Sequence, residues 1–278
     1  MNRHVAAALI NYKNTPLTIR CIESLKESGI NDIIVIDNSA DAEEQNKIEV
    51  AVQKFENEID VIRLIVSSEN VGFSKGTNIA IEKLSVSEPQ YILLINNDAY
   101  FSGISIDLLI NEMVQQGAEF LSCAESNRRF FYNRYLGVLT QKALPGSFQY
   151  LHGSCILYHF QKNKELRFDE EFFLYGEDVE LSWRISKEHK NIVFSKLCVE
   201  HEGGASSSNR SLFYEYHINR GHYLLAKKLS KNTPDYLISL VTKFPVLLAR
   251  SIYRSIKTIS LFPLFGFFLS PFEITLRA

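Results

Sequence analysis

Short apolar runs alternate with longer amphipathic stretches over the first 125 residues, and this alternation constrains the fold more than any other feature of the sequence. The runs are five to seven residues long, which is the length of a buried strand. Predicted strands lie at residues 5–10, 33–37, 61–67, 91–96 and 119–124, and predicted helices lie between Asn14 and Gly29 and at residues 42–55, 74–84 and 106–116. The pattern predicts an α/β fold with a mostly parallel sheet flanked by helices.

The composition indicates a folded protein of one or two domains. With 46% hydrophobic residues, a chain of 278 residues can bury a sizeable core. Thirty Lys and Arg against 32 Asp and Glu give a formal net charge of −2, which excludes a bulk electrostatic attraction to nucleic acid. Four isolated cysteines without zinc-type spacing, and an N-terminal apolar run too short for a secretory signal, favour a reduced cytoplasmic compartment.

The second half of the chain is less regular. Residues 126–147 lose the periodicity and are interpreted as a loop or a lid-like insertion. A strand at residues 150–160, a helix at 177–188 and a last strand at 192–199 are predicted after it. We expect one domain at residues 1–225 and a helical extension at residues 226–278.

The C-terminal region is basic and apolar. Residues 210–278 carry ten Lys and Arg against three Asp and Glu, and from residue 236 to 272 the cations are interleaved with Leu, Ile and Phe. This composition is typical of an amphipathic helix at an anionic membrane surface, although a helical pair packed on the preceding domain fits it too. The longest charge-free run, residues 258–272, is shorter than the roughly 20 residues that span a bilayer, so no transmembrane helix is predicted.

Polar side chains follow three of the predicted strands: Asn11 after the first, Asp37 and Asn38 after the second, and Asn97 and Asp98 after the fourth. In open α/β sheets, ligands bind beyond the carboxyl ends of the strands. At this edge Asp37 could accept a hydrogen bond from a pyrimidine imide or a ribose hydroxyl, and Asp98 could offer a carboxylate oxygen to Mg²⁺ or Mn²⁺. Each segment alone also fits an ordinary polar turn.

A glycine-containing segment begins the third predicted helix, with Asn70, Gly72, Lys75 and Asn78. Glycine permits close backbone approach, and a helix N-terminus offers free N–H groups to an anion. Neither G-x-x-x-x-G-K-[ST] nor G-x-G-x-x-G occurs in the chain, so the usual signatures of kinases, ATPases and dehydrogenases are missing.

The most informative segment is FDEEFFLYGEDVELSWR at residues 168–184. Its carboxylates, including Glu177 and Asp178, lie among aromatic side chains such as Tyr175 and Trp183. An ordinary solvent-exposed helix N-terminus would also favour acidic residues, through the helix dipole. Such a helix start would not require aromatic side chains around the carboxylates. Farther on, His201 follows a predicted strand, where an imidazole can bind a metal or serve a structural role.

In this order the segments resemble family 2 of the glycosyltransferases, especially the bacterial rhamnosyltransferase-like and galactofuranosyltransferase-like members. The resemblance covers residues 4–225 and rests on DNS at 37–39, N-x-G-F-x-x-G-x-N at 70–78, NND at 96–98, Gly153, FDE at 168–170, YGEDVEL at 175–181 and His201. It implies a GT-A (Rossmann-like) fold and inverting transfer of a sugar from a nucleotide diphosphate donor.

The resemblance also implies roles for individual residues. Asp178 would be the general base and Glu177 would position the acceptor, with Tyr175 and Trp183 as further acceptor contacts. Asp98, assisted by His201, would bind Mg²⁺ or Mn²⁺. The nucleotide-side residues would be Asn11, Asp37, Asn38, Asn70, Gly72, Lys75, Asn78 and Asn97. The chain departs from the common family pattern at Asn96 and Asn97, at Ala80 and at Glu180.

These interpretations lead to one hypothesis and two rivals. We expect a metal-assisted, inverting hexosyl- or deoxyhexosyltransferase that uses a UDP- or dTDP-sugar and a lipid-linked glycan acceptor in the biosynthesis of a bacterial O-antigen or capsule. It would act as a peripheral protein on the inner face of the cytoplasmic membrane. The alternative is a non-catalytic nucleotide-sugar- or glycan-binding module of the same fold. A sugar-phosphate nucleotidyltransferase is disfavoured because no glycine follows the first strand in INYKN. The sequence carries no signal for the oligomeric state.

Overall fold

The computed structural model describes residues 3–123, 129–201, 211–274 and 276. The chain forms two compact units, each made of three segments. The first unit comprises Met1–Arg128, Leu151–Phe168 and His189–Ser206, and the second comprises Arg129–Tyr150, Asp169–Glu188 and Ser207–Ala278. Residue 225, where the sequence predicted a domain boundary, lies inside a helix of the second unit.

The first unit contains a seven-stranded sheet and a two-stranded sheet. Its strands are β1 (Val5–Asn11), β2 (Asp32–Asp37), β3 (Val61–Val66), β4 (Tyr91–Ile95), β5 (Ala99–Tyr100), β6 (Phe120–Ser122), β10 (Cys155–His159), β11 (Ile192–Phe194) and β12 (Glu200–His201). The large sheet has the order β11-β6-β10-β4-β1-β2-β3, and β5 pairs with β12. β10 runs antiparallel to both of its neighbours, whereas the other neighbouring pairs of the large sheet are parallel. The predicted α/β class with a mostly parallel sheet is therefore confirmed.

Four helices flank this sheet: α1 (Thr15–Glu27), α2 (Ala42–Gln53), α3 (Gly72–Ser85) and α4 (Ile106–Gln115). The predicted caps of the first helix are confirmed, because the Asn14 side chain accepts the Leu17 N–H and Gly29 has a left-handed φ of 95°. Asp41 and Ser105 cap α2 and α4 in the same way. Side-chain caps of this kind satisfy N–H groups that have no partner within the helix.

The core of the first unit lies between the sheet and these helices. Strands β2 and β4 are buried at every position, as expected of strands covered on both faces. Ile22 and Leu25 of α1 and Leu109 of α4 are fully buried in the same apolar cluster. This rigid layer holds the carboxyl ends of β1, β2 and β4 in fixed positions.

The second unit begins with a three-stranded antiparallel sheet, in the order β8-β7-β9, that the sequence analysis did not predict. Its strands are β7 (Phe130–Asn133), β8 (Val138–Thr140) and β9 (Ser147–Tyr150). The interpretation of residues 126–147 as a loop or lid is therefore wrong for the described residues from 129 onward, and residues 126–128 lie outside the described part of the chain. Strands of three or four residues are too short to show a clear period of two.

Three other strand predictions need correction. The single strand predicted at residues 150–160 is two strands, because β9 ends at Tyr150 in the second unit and β10 begins at Cys155 in the first. The last predicted strand is much shorter than residues 192–199, because β11 ends at Phe194. The strand predicted at residues 119–124 ends at Ser122, and residue 124 is not among the described residues.

Four helices complete the second unit: α5 (Glu177–Lys187), α6 (Leu212–Lys228), α7 (Thr233–Thr258) and α8 (Phe262–Leu269). α6 packs against both α7 and α8, and Phe148, Phe172 and Leu225 belong to the apolar cluster beneath the small sheet. By length and composition α7 could cross a membrane, a test that core helices of soluble proteins also pass. No transmembrane helix was predicted here, because Lys243 and Arg250 interrupt the apolar run.

Candidate active site

Asp37 is held at the carboxyl end of β2 by its neighbours on the same edge of the sheet. Parallel pairing places Asn11 opposite Asp37, and Asn11 Nδ2 donates a hydrogen bond of 2.8 Å to Asp37 Oδ1. The main-chain N–H and the hydroxyl of Ser39 donate to the same oxygen over 3.2 and 2.6 Å. Asp37 is fully buried, yet its Oδ2 has no hydrogen-bond partner among the described residues. An unpaired buried oxygen is costly, and an imide N–H or a ribose hydroxyl would satisfy it.

A row of hydrogen bonds runs from Asp37 along this edge. The Thr18 hydroxyl donates to Asn11 Oδ1 over 2.7 Å, and Asn97 Nδ2 donates to Thr18 Oγ1 over 3.0 Å. Three predicted site residues, Asn11, Asp37 and Asn97, therefore belong to one buried network, and Asp98 directly follows Asn97 in the chain. Thr18 was not predicted, because nothing around it in α1 distinguishes it from an ordinary core position.

The glycine-containing segment packs against Asn38. The Asn38 side chain donates to the Gly72 carbonyl over 2.9 Å, and a Cβ on Gly76 would lie only 3.0 Å from Asn38 Nδ2. Gly72 has a left-handed φ of 81°, and its N–H donates to Asn70 Oδ1 over 3.0 Å. Asn38, Asn70 and Gly72 are thus brought together at the start of α3, and their contact with a nucleotide stays a prediction.

Asn78 and Lys75 have different surroundings on α3. Asn78 Oδ1 accepts the Phe168 N–H over 2.8 Å, and its Nδ2 donates to the Phe168 carbonyl over 2.9 Å. The Asn78 amide therefore fastens the start of the acidic segment to α3, and a contact with a nucleotide stays a prediction. Lys75 is exposed, and its predicted nucleotide-side role also stays a prediction.

Asp98 and His201 form a pair that could hold a cation. Antiparallel pairing of β5 with β12 places His201 opposite Ala99, and His201 Nε2 lies 3.0 Å from Asp98 Oδ1. Carboxylate oxygen and imidazole nitrogen are both ligands of divalent cations. No cluster of three or more His, Cys, Asp or Glu side chains suited to a metal occurs in the described ranges. Two protein ligands still fit Mg²⁺ or Mn²⁺ that is shared with substrate phosphates.

His152 is a neighbour of this pair that the sequence analysis missed. Its ring meets the His201 ring edge-on, with 6.2 Å between centroids, and its Nδ1 accepts the Ser154 N–H over 3.1 Å. The antiparallel pairing of β10 with β4 brings His152 to this edge of the sheet. The local sequence carries no signal of that long-range pairing.

In the second unit, an unusual turn positions Glu177 and Asp178 at the start of α5. Tyr175 and Gly176 both have left-handed backbone, with φ of 67° and 101°, and such a conformation is uncommon for a bulky residue. α6 passes so close that a Cβ on Gly221 would collide with the Tyr175 main-chain oxygen. This close approach fixes the turn and, with it, the two carboxylates that follow.

Asp178 is oriented by hydrogen bonds to both of its carboxylate oxygens. The Tyr150 hydroxyl donates to Oδ2, and the Val179 N–H donates to Oδ1 over 2.8 Å. The side chain stays partly exposed. An oriented, accessible carboxylate can take a proton from a hydroxyl. Tyr150 was not predicted, because it lies in the sheet that the sequence analysis interpreted as a loop and a later strand.

Glu177 differs from Asp178 in its protonation. It is buried, and its Oε2 has no hydrogen-bond partner in the described parts of the chain. Burial and the neighbouring Asp178 carboxylate raise the pKa of Glu177 to about 8. At pH 7 Glu177 is therefore protonated, and its hydroxyl can donate a hydrogen bond.

The two predicted acceptor residues have different surroundings. Tyr175 lines a cavity of about 190 Å³ that is also lined by His217 and Arg220 of α6 and by residues 273, 274 and 276. Trp183 packs on Phe148, with ring centroids 5.1 Å apart, and is half-buried. Both residues lie in the second unit with Asp178, and their contact with an acceptor stays a prediction.

Comparison with solved structures identifies the fold. The mannosyltransferase PcManGT from Pyrobaculum calidifontis has a TM-score of 0.62 at 12% identity, with 98% of this chain and 88% of that chain covered. GalNAc-T7 gives a TM-score of 0.61 at 10% identity, but this chain spans about half of it (81% and 48% covered). Staphylococcus aureus TarS 1–349 gives 0.54 at 13% identity, with 95% and 89% covered. The fold is therefore that of the GT-A glycosyltransferases.

The sequence itself matches a family model. Residues 8–167, more than half of the chain, match the model of glycosyl transferase family 2. No curated protein matches the chain significantly. The matched segment includes Asn11, Asp37 and Asn97 of the hydrogen-bonded row described above, and also the glycine-containing segment and Asp98. The chain therefore belongs to glycosyl transferase family 2.

Proposed function

We propose that this chain transfers a sugar, with inversion, from a nucleotide diphosphate donor to a hydroxyl of a glycan acceptor. The observation that carries the proposal is the buried row of hydrogen bonds from Asp37 to Asn97, which is followed directly by Asp98 and its partner His201. At one end, Asp37 Oδ2 can accept a hydrogen bond from a nucleoside. At the other end, Asp98 and His201 can bind a metal ion that holds the diphosphate. Both lie at the sheet edge where α/β folds bind nucleotides.

The similar structures support a nucleotide-sugar donor. PcManGT is described in complex with GDP-Man and Mn²⁺, TarS 1–349 with UDP-GlcNAc, and GalNAc-T7 with UDP, GalNAc and Mn²⁺. For this chain we propose a UDP- or dTDP-sugar, because Asp37 Oδ2 can accept the single imide N–H of uracil or thymine. Asn38, Asn70 and Gly72 would shape the adjoining part of this pocket.

Asp98 and His201 would hold Mg²⁺ or Mn²⁺. When bound, such a cation stabilises the negative charge that develops on a leaving diphosphate. The chain's own contribution is to keep the two ligands close together and largely shielded from water, with side chains only 6% and 15% exposed. This shielding strengthens electrostatic interactions at the site.

Asp178 would act as the general base. Its carboxylate would take the proton from the acceptor hydroxyl as that oxygen attacks the anomeric carbon and the diphosphate leaves. One base is enough for an inverting displacement, because no covalent sugar–enzyme intermediate forms. Tyr150 would keep the carboxylate oriented. Glu177, protonated at pH 7, would donate a hydrogen bond to an acceptor oxygen instead of competing for the proton.

A binding module without catalytic activity is the second candidate. Such a module would need the Asp37 row to bind a nucleotide-sugar, but it would not need a base. The two hydrogen bonds that orient Asp178 favour the enzyme. Slow hydrolysis of the donor in the absence of acceptor is expected of the enzyme and not of the module.

We also propose a lipid-linked glycan as acceptor and the inner face of the cytoplasmic membrane as the place of reaction, in the biosynthesis of a bacterial surface polysaccharide. The support is compositional. Residues 236–272 contain many apolar side chains and no Asp or Glu, which suits contact with phospholipid.

A donor screen tests the proposed reaction. Release of free nucleoside diphosphate would be measured for UDP-, dTDP- and GDP-sugars, with and without a bacterial lipid extract, in Mn²⁺ and in EDTA. We expect release from a UDP- or dTDP-sugar, acceleration by the extract and loss in EDTA. Donor binding without release under any condition would identify a binding module. Release from GDP-sugars alone would contradict the role of Asp37, and indifference to EDTA would contradict the role of Asp98 and His201.

A further inference from the structure

Helix α7 has polar side chains inside and apolar side chains outside. Its buried residues are Ser239, Lys243, Leu247 and Ser251, which share one face because they are four residues apart. Away from this face, seven large apolar side chains of α7 are exposed: Leu237, Ile238, Val241, Phe244, Ile252, Tyr253 and Ile256. A surface helix of a water-soluble protein shows the reverse arrangement.

Helix α8, which packs against α7, and its flanks also carry exposed apolar side chains. Its exposed apolar side chains are Ile259, Leu261, Phe262, Phe265, Phe268 and Phe272. Within the described residues, 13 of the 22 exposed large apolar side chains lie between residues 237 and 272. We call these 13 side chains the apolar face. So many exposed apolar side chains on two helices that pack together indicate a site of association.

The cations of this region are mostly directed inward. Arg250 and Arg254 bind the fully buried Glu215 carboxylate over 3.2 and 2.6 Å. Lys243 is buried, and burial together with Arg134 lowers its pKa to about 7. The charge that the sequence analysis assigned to lipid contact is therefore used largely inside the second unit.

α7 contacts other parts of the second unit near both of its ends. Near its start, Asp235 pairs with Arg134 over 2.9 Å, and the Thr242 hydroxyl donates to the Tyr135 carbonyl over 2.7 Å. Near its end, Arg254 binds Glu215. A helix held along one side in this way cannot be surrounded by lipid, which favours a position at the membrane surface over one across the bilayer.

We propose that the apolar face inserts into the acyl-chain layer of a phospholipid bilayer, with α7 and α8 lying parallel to the membrane surface. The attachment is hydrophobic and does not require anionic lipid. It deepens the proposed function, since it would bring the second unit, which carries Asp178, to a lipid-linked acceptor.

Charge and composition favour a bilayer over a second copy of the chain as the occupant. No Asp or Glu occurs between residues 236 and 272, and acidic residues are those that an anionic headgroup layer repels. Lys257, near the end of α7, lies with its ammonium 5.9 Å from the Tyr253 ring, a pairing suited to the headgroup level. Interfaces between proteins usually combine an apolar centre with a polar rim that forms hydrogen bonds, and this surface carries apolar side chains across both helices.

Vesicle flotation tests the proposal on the full chain. Large vesicles of phosphatidylcholine alone would be used at about 0.1 M and about 1 M NaCl, since the higher salt screens exposed charges. The wild-type chain is expected to float at both concentrations. The triple variant Val241→Gln, Ile256→Gln and Phe268→Gln should partition roughly a hundredfold less or weaker still, because three large apolar side chains are lost from the inserted face.

A matched variant controls for the loss of apolar surface in general. Val86, Leu108 and Val114 are also exposed apolar residues, and they lie in the first unit. The triple variant Val86→Gln, Leu108→Gln and Val114→Gln should float like the wild type. Circular dichroism of both variants should match the wild type, because all six positions are exposed.

Three outcomes would overturn the proposal. Binding only to vesicles with anionic lipid, with release at high salt, would show electrostatic attachment instead of insertion. Absence of flotation together with a dimer in sedimentation that the first triple variant abolishes would assign the apolar face to a second copy. Equal loss of flotation in both triple variants would show that the apolar face has no special role. Hydrolysis of the donor, measured without vesicles, is independent of all three, so failure of the proposed reaction is distinguishable from failure of the membrane attachment.

Discussion

Replacing Glu177 by glutamine should stabilise the second unit, increasingly so as the pH rises. Burial and the Asp178 carboxylate raise the pKa of Glu177 to about 8 in the folded chain, from an ordinary value of 4.5. Between these two values the unfolded chain releases the proton and the native chain keeps it. Each pH unit in this window therefore lowers the free energy of unfolding by about 1.4 kcal/mol. At pH 7, about 2.5 units above 4.5, the loss is about 3 kcal/mol, and glutamine does not incur it.

The assay can report on the relevant unit alone. Trp183 is the only tryptophan of the chain and lies on α5, the helix that Glu177 begins. Urea unfolding would be followed by its fluorescence at pH values from about 5 to about 8, for the wild type and Glu177→Gln. The variant's advantage should grow by about 1.4 kcal/mol per pH unit. Glu188→Gln, exposed at the other end of α5, provides the baseline for the same chemical change.

The protonation state of Glu177 is tested by how the stability difference between Glu177→Gln and the wild type changes with pH. A constant offset arises from the new amide group and is independent of pH. A difference that stays flat from pH 5 to pH 8, or one that shrinks as the pH rises, would refute the conclusion that Glu177 is protonated in the native protein. Its assignment as a hydrogen-bond donor to the acceptor would then fail as well.

Three further substitutions test other parts of the structure. Asp98→Asn should weaken Mn²⁺-dependent donor binding at least tenfold in calorimetric titrations while leaving metal-free nucleotide binding unchanged, and equal binding in both conditions would contradict its role as a ligand. Gly221→Ala should destabilise the second unit by about 1–3 kcal/mol, because the added Cβ would collide with the Tyr175 carbonyl. The same variant should lower turnover. A variant with wild-type stability and rate would show that the turn tolerates displacement. Glu215→Gln should lower the unfolding free energy by roughly 3 kcal/mol, because it leaves two part-buried arginines without their carboxylate, and unchanged urea midpoints would contradict this.

The parallel part of the fold could be predicted because its signals are local. The apolar runs form β1, which is buried except at Ile10, and the fully buried strands β2 and β4. The amphipathic stretches between them carry recognisable caps such as Asn14. The conformation of each of these elements can therefore be predicted from its own local sequence. The rule that ligands bind beyond the carboxyl ends of parallel strands then pointed to Asp37 and Asp98 without any knowledge of pairing.

The antiparallel parts could not be predicted in the same way. β7, β8 and β9 contain three or four residues each, and they are stable only through pairing with one another. β10 joins the large sheet against the direction of its neighbours. These pairings join distant segments, so the residues they bring to the candidate site, Tyr150 and His152, went unnoticed.

The sequence also could not show how the charged residues of the C-terminal region are used. Counted along the chain, Arg250 and Arg254 suggested a basic surface for lipid. In the structure both bind Glu215, whose burial depends on the packing of α6 against α7 and α8. What remains outside is an apolar surface, a property that residue counts alone do not reveal.

The central claim is that Asp178 takes the proton from the acceptor, and one variant tests it most directly. Asp178→Asn keeps the shape of the side chain but is a far weaker base. Nucleoside diphosphate release in the presence of acceptor should fall by about 10²–10⁴, while the dissociation constant for the donor, measured by calorimetry, should stay within about twofold of the wild type. A variant that transfers sugar at the wild-type rate would contradict the proposed mechanism.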